Sequence, residues 1–175
     1  MVLEVVIEDA RWAGAGLETI GAEALAAVLA RRGLTAADAT LLAASDARVA
    51  RLNADFRGKP APTNVLSWPS RDLGPPEPGA PPPLPRPDAT GDLYLGDIAL
   101  AWETCAREAA AAGRPISAHA THLVVHAILH LLGYDHIFDQ DADLMERLEV
   151  EILSTLGVPD PYSTGADGRH GSGAD

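Results

Sequence analysis

The chain has 175 residues, of which 47% are hydrophobic and 22% charged, with a formal net charge of −12. A chain of this length forms one domain that can bury most of the surface its unfolded state exposes. No apolar run approaches the about 20 residues of a membrane-spanning helix, and the N-terminal segment lacks the basic region and long apolar stretch of a signal peptide. The single cysteine, Cys105, excludes an internal disulfide and fits a reducing compartment. We therefore expect a cytoplasmic protein with no membrane partner.

The first part of the chain alternates strand and helix patterns. Val2–Glu8 is rich in β-branched residues and predicts a strand. Leu17–Arg32 has apolar residues at helical spacing and predicts an amphipathic helix. A short strand is predicted at Thr40–Ala44, and Asp46 is a favourable N-cap for a helix that ends near Phe56.

The remaining elements complete a mixed fold. Strand-like sequences lie at Thr63–Trp68 and Asp92–Leu100, and helical patterns lie at about 101–112, 117–132 and 140–156. Strands and helices mixed in this order predict an α+β fold, in which a small mixed sheet packs with helices around a central helix. The histidine-bearing helix 117–132 is the expected centre.

Eight of the 14 prolines lie between Ser70 and Gly91. Because proline supplies no backbone N–H, such a run predicts an extended, mobile surface loop. We interpret residues 71–90 as an insertion within a single domain of residues 1–162, although a docking site for a polyproline-binding partner is an alternative. The polar, glycine-rich tail 163–175 is predicted to be disordered.

Three histidines in the sequence HAILHLLGYDH predict a metal site. His126 and His130 share one helix face, about 6 Å apart along the axis. Gly133 can take the left-handed conformation that ends a helix, so the chain can turn back and bring His136 beside the other two. Three neutral imidazoles with an open fourth position are typical of a catalytic zinc site. The spacing therefore predicts one Zn²⁺ per chain.

Two further histidines lie on the same helix face. His122 and His130 are about 12 Å apart along a straight helix, too far for both to bind one ion. The helical pair is therefore either 122/126 or 126/130, and the turn that carries His136 favours the second. His122 is then expected to be structural, or else to contact a metal-ligating residue or the substrate. His119 is expected to be solvated.

One residue separates this spacing from the metalloprotease pattern H-E-x-x-H-x-x-G-x-x-H. Where those enzymes have a glutamate general base, this chain has Ala127. Because a methyl group cannot accept a proton from a metal-bound water, peptidase chemistry is not expected.

The segment Thr121–His136 resembles the signature of the YbeY family of bacterial metal-dependent endoribonucleases, which act in ribosomal RNA maturation. The resemblance extends over about residues 1–162, with Ala127 in place of the family's usual glycine. The other matching blocks, in chain order, are Leu52-Asn53, Phe56-Arg57, Pro62–Pro69, Leu95–Ile98 and the closing-helix residues Met145, Glu146 and Glu149.

The resemblance implies a zincin-like fold and a function. The expected activity is that of a zinc-dependent, single-strand-specific endoribonuclease in 16S rRNA 3′-end maturation and ribosome quality control. The expected partners are single-stranded RNA or rRNA and the ribosomal small subunit or its assembly factors; no DNA is expected.

The same resemblance places the family's conserved arginine at Arg57, the candidate catalytic residue. A guanidinium can bind a phosphate in a bidentate fork, although a surface salt bridge is the alternative for Arg57. Asp135 and Asp97 are candidates to orient a histidine N–H; the alternative for Asp97 is that it completes the Gly-Asp turn.

The net charge has the wrong sign for a protein that binds RNA. It is unevenly distributed, because residues 135–175 contain ten acidic residues and two arginines, whereas Arg48, Arg51, Arg57 and Lys59 lie close together. The field at the binding groove matters more than the total charge. Two other functions remain open: a metal-dependent hydrolase of another substrate, and a non-catalytic ribosome assembly factor whose metal only stabilises the fold.

Overall fold

A computed structural model describes residues 1–58 and 63–163 of the chain, apart from the side chain of Arg57. Lys59 and residues 164–175 of the predicted disordered tail lie outside the described residues. The regular elements are β1 (Val2–Ile7), α1 (Leu17–Arg32), β2 (Asp38–Ala44), α2 (Asp46–Arg57), β3 (Val65–Pro69), β4 (Tyr94–Ala101), α3 (Trp102–Ala111), α4 (Ile116–Leu131) and α5 (Asp139–Thr155).

The four strands form one mixed sheet in the order β1-β2-β4-β3. Strands β1, β2 and β4 are parallel, and β3 pairs with β4 in the antiparallel direction. Parallel neighbours need a crossover connection, and α1 supplies it between β1 and β2. Ile98 lies between Leu41 of β2 and Ser67 of β3 in this register. The predicted α+β class and small mixed sheet are confirmed.

Helix α4 lies in the main core and packs against α1, α3, α5 and the strands β3 and β4. Most of its side chains are buried, which is why its sequence is apolar on nearly every face. The buried apolar residues of this helix are Ala120, Leu123, Val124, Val125, Ala127, Ile128, Leu129 and Leu131. A smaller apolar cluster beneath α2 covers the opposite face of the sheet. The prediction of a central histidine-bearing helix is therefore confirmed.

The predicted cap of α2 is wrong. Ser45 is the N-cap, and its Oγ accepts a hydrogen bond from the N–H of Arg48 at 3.2 Å. Asp46 instead accepts bonds from the N–H and the hydroxyl of Thr104 at 2.9 and 2.7 Å, while its own N–H donates to Glu103 at 2.6 Å. Helix α3 begins after Ala101, which has no side-chain oxygen, so a neighbouring helix provides its capping group.

The proline-rich segment has no helix or strand, as predicted, but it packs against the domain. The N–H of Gly79 donates to Asp141 at 2.8 Å, and the guanidinium of Arg32 donates to the carbonyl of Pro82 at 3.1 Å. Its role as an insertion and the domain boundary at residue 162 remain predictions. Among the described helices, none combines the length and apolar character needed to span a bilayer.

Candidate metal centre

A glycine turn after α4 brings the third histidine towards the first two. The N–H of Gly133 donates to the carbonyl of His130 at 3.0 Å, and the N–H of Tyr134 donates to that of Leu129 at 3.1 Å. These two bonds form a Schellman motif, which requires a left-handed residue, and Gly133 has φ +98°. A Cβ at this position would lie 2.4 Å from the carbonyl oxygen of Leu73. The predicted helix end at glycine is therefore confirmed, and only glycine fits it.

The three predicted ligands lie together. The Nε2 atoms of His126 and His130 are 3.0 Å apart, and the ring of His136 lies 5.7 and 5.1 Å from theirs, centroid to centroid. One nitrogen from each ring lies within 4.8 Å of the others. Two nitrogens at 2.0–2.1 Å from a tetrahedral zinc ion would be about 3.3 Å apart. The spacing therefore fits three ligands around one small cation.

Hydrogen bonds at Nδ1 orient the imidazole rings of His126 and His130 on α4. The Nδ1 of His126 lies 2.5 Å from Oε1 of Glu149, and the Nδ1 of His130 lies 2.8 Å from the carbonyl of Tyr134. A carboxylate and a carbonyl only accept, so each Nδ1 donates. Burial, followed by repulsion from His126 and His136, lowers the pKa of His130 to about 3 and keeps its ring neutral. The neutral ring of His130, with its proton on Nδ1, presents an Nε2 lone pair towards the Nε2 of His126, in a position where a cation could bind.

Glu149 on α5 is fully buried and contacts the Nδ1 side of the His126 ring. Its carboxylate lies against His126, His122 at 3.1 Å, and the hydroxyl of Tyr162 at 2.5 Å. Burial by itself would raise the pKa of Glu149, but the hydrogen bonds from His122 and His126 outweigh it and lower the pKa to about 2. Glu149 therefore remains ionised and can orient His126, as carboxylates do behind metal-bound histidines.

His122, His126 and Glu149 also form a group compact enough to hold an ion. In this group, however, the Nδ1 of His126 and Oε1 of Glu149 are already paired with each other. The same contacts are explained by a hydrogen-bonded network in which His122 has a supporting role. No supporting role for Glu149 was predicted from the sequence, although Glu149 is an acid on the apolar face of α5, among Met145, Leu148 and Ile152.

Three minor predictions about this region are wrong. Asp135 does not orient a histidine; its carboxylate accepts the N–H of Ile137 at 3.2 Å, and the carbonyl of Tyr134 takes the expected role. Asp97 lies within β4 and contacts the hydroxyl of Tyr94 rather than a histidine. His119 is not solvated, because its side chain is 13% exposed and lies 3.7 Å from Glu108.

Clefts open on both sides of the three histidines. One has a volume of about 370 Å³ and is lined by residues that include Ser67, Arg71 and His130. The other has a volume of about 250 Å³ and includes His126 and His136. The histidine cluster is therefore bordered by two clefts.

The predicted catalytic arginine, Arg57, is the last residue of α2. Its neighbour Phe56 contacts Trp68 of β3 at 5.9 Å between ring centroids, and Ser67 of the same edge strand borders the larger cleft. Because adjacent residues of a strand point to opposite faces, the end of α2 packs on the other side of edge strand β3 from this cleft. The catalytic role of Arg57 remains a prediction.

The ionisation of Glu149 predicts an acid-sensitive stability. Because its pKa is lowered from 4.5 to about 2 on folding, its contribution is fully present above about pH 4.5 and is lost as the pH falls towards 2. The loss should be on the order of 3 kcal/mol of unfolding free energy. Urea unfolding of the metal-free protein, in chelator, should show this loss in the wild type and a flatter profile in Glu149→Gln. Parallel profiles would contradict the assignment.

Comparisons with known proteins agree on one family. The family model described as Endoribonuclease YbeY matches residues 9–157. Endoribonuclease YbeY of Ruegeria pomeroyi is 54% identical over 165 residues, which cover 93% of this chain and 99% of that protein. The protein of the same name from Paracoccus denitrificans is 52% identical over 160 residues, covering 91% and 89% of the two chains.

A solved structure agrees at the level of the fold. The solution structure of TM1509 from Thermotoga maritima superposes with a TM-score of 0.53 over 97% of this chain and 100% of that one, at 18% identity. At that identity the likeness supports the fold alone. The family match over most of the chain, together with relatives more than half identical to it, shows that this protein belongs to the endoribonuclease YbeY family, whose named members are RNA-cleaving hydrolases.

Proposed function

We propose that the protein is a cytoplasmic, zinc-dependent endoribonuclease that cuts single-stranded RNA. One zinc ion would be bound by His126, His130 and His136. The observation that carries the proposal is the approach of the Nε2 atoms of His126 and His130 to 3.0 Å, while the Nδ1 atom of each ring is paired with an acceptor. Histidine nitrogens in this arrangement suit zinc better than magnesium or calcium, which prefer oxygen ligands.

The chemistry follows from an open coordination site. A zinc ion bound there would supply Lewis acidity to a phosphoryl oxygen and lower the pKa of a coordinated water. Glu149 and the carbonyl of Tyr134 hold the rings of His126 and His130 in the orientation that such an ion requires. The clefts on both sides leave room for the nucleotides that flank a scissile phosphate, which suits an extended single strand.

Arg57 is our proposed phosphate-binding residue. The family resemblance supports this role. Helix α2 ends beside the edge strand β3, on the other side of that strand from Ser67 and the larger cleft. A guanidinium would bind the phosphate in a bidentate manner and stabilise the charge that develops on its oxygens.

The acidic surface favours a partner-assisted role. With a net charge of −12, the protein should have weak intrinsic affinity for RNA, because phosphate neutralisation supplies most non-specific binding. Arg48, which belongs to the group of positive residues on α2, is partly neutralised by the carboxylate of Glu8 at 3.2 Å. We propose that the ribosomal small subunit or an assembly factor delivers the RNA, for 16S rRNA 3′-end maturation and ribosome quality control.

The test is cleavage of matched single-stranded and double-stranded RNA by purified protein, first as metal-free protein and then with zinc restored. We expect cutting of the single strand that chelation removes and zinc returns. Metal binding without any cutting would instead favour the assembly-factor function. Cleavage of small esters without RNA cleavage would favour a different hydrolase.

We predict no useful peptidase activity. Ala127 stands where metalloproteases place their glutamate base, and its side chain is 1% exposed within the core. Zinc-loaded protein should therefore leave casein and short peptides intact while it cuts RNA. Metal-dependent peptide cleavage that persists with inhibitors of contaminating serine and cysteine proteases would overturn this prediction.

A further inference from the structure

A tyrosine near the end of the described chain reaches the buried network beneath the histidines. The hydroxyl of Tyr162 donates to Oε2 of Glu149 at 2.5 Å. Its ring lies 5.7 Å from that of His122, centroid to centroid, with the two planes nearly perpendicular. The burial of this hydroxyl and the nearby charge of Glu149 raise the pKa of Tyr162, so the hydroxyl remains a hydrogen-bond donor.

Hydrogen bonds in the turn at Asp160 fix the position of Tyr162. Its N–H donates to the carboxylate of Asp160 at 2.8 Å, and the N–H of Ser163 donates to the carbonyl of the same residue at 3.3 Å. The guanidinium of Arg114, in the turn between α3 and α4, donates to that carbonyl at 3.1 Å. The turn at Asp160 is therefore tied to the body of the domain, and it holds Tyr162 against α4 and α5.

The contacts of Glu149 explain what this hydroxyl does. One carboxylate oxygen meets the Nδ1 of His126, while the other is shared by His122 and Tyr162. Because the carboxylate turns as a unit, the donors on Oε2 determine where Oε1 points. The direction of Oε1 in turn sets the plane of the His126 ring, and with it the direction of the Nε2 lone pair.

We propose that Tyr162 is a positioning residue for the metal centre, which acts by holding the carboxylate of Glu149 in the rotation that orients His126. The inference rests on the proposed function, because it requires His126 to bind the metal. It also makes the C-terminal segment Asp160–Tyr162 part of the site, although that segment is remote in sequence from the histidines.

The test compares two tyrosine-to-phenylalanine variants. Tyr162→Phe removes the hydroxyl that reaches Glu149. Tyr94→Phe is the matched control, because it removes a hydroxyl that bonds Thr40 at 2.7 Å on the sheet and contacts Asp97. Zinc affinity is measured by competition with a chromophoric chelator, and the geometry of the site is followed by the visible absorption of the cobalt-substituted protein.

We expect Tyr162→Phe to bind zinc about 10-fold more weakly, at the lower end of the range for lost outer hydrogen bonds, with an altered cobalt spectrum. Tyr94→Phe should match the wild type in both measurements. Wild-type affinity and spectrum in Tyr162→Phe, or an equal loss in both variants, would overturn the positioning role alone. Failure of the wild type to bind zinc would overturn the proposed metal centre itself, and the role of Tyr162 with it.

Discussion

His136→Ala is expected to remove zinc binding and RNA cleavage while the domain stays folded. His136 is exposed and meets the other two histidines from outside the core, so its removal leaves the packing of α4 unchanged. The loss should exceed the about 10–100-fold that an outer hydrogen bond contributes to metal affinity or activity. Metal content per chain, single-stranded RNA cleavage and the melting temperature of the metal-free protein provide the measurements.

His119→Ala is a suitable control, because His119 lies on α4 with His126 and His130 but faces Glu108. It should retain one zinc per chain and wild-type cleavage. His126→Ala is a less clean test, since it also removes a donor from the buried carboxylate of Glu149. Full zinc occupancy in His136→Ala would rule out the proposed ligand set. If zinc were then lost in His122→Ala, the group of His122, His126 and Glu149 would be the site instead.

Arg57→Ala is expected to lower RNA cleavage by about 10–1000-fold, since removal of a single donor to a transition-state oxyanion costs up to about 1000-fold. Zinc content and melting temperature should not change, because the proposed role is in phosphate binding. Arg57→Lys should also lose much of the activity, since lysine retains the charge but not the planar fork. Single-turnover cleavage rates separate this effect from weaker RNA binding.

The control for Arg57 is Arg51→Ala, which removes an exposed positive charge from the same helix. A similar loss in both variants would mean that general attraction for RNA, and not a specific phosphate contact, explains the result. Wild-type rates in Arg57→Ala would remove this residue from the catalytic site and leave the phosphate-binding group unidentified.

The sequence by itself determined the features that depend on local geometry. Helical periodicity placed His126 and His130 on one face, and a single glycine, Gly133, predicted where α4 ends and the chain turns towards His136. Each of these depends on residues within one helix and one turn, where the rise per residue and the allowed backbone angles settle the outcome. The α+β class followed in the same way from the order of strand and helix patterns.

Only the tertiary structure decided which groups support the histidines. Asp135 is adjacent to a predicted ligand in sequence, yet its carboxylate bonds within its own turn, and the buried Glu149 orients His126 from another helix. Likewise Asp46 caps α3 instead of its own helix, across 58 residues of chain. A buried charge is stable only where several donors converge on it, and those donors come from segments that the fold alone brings together.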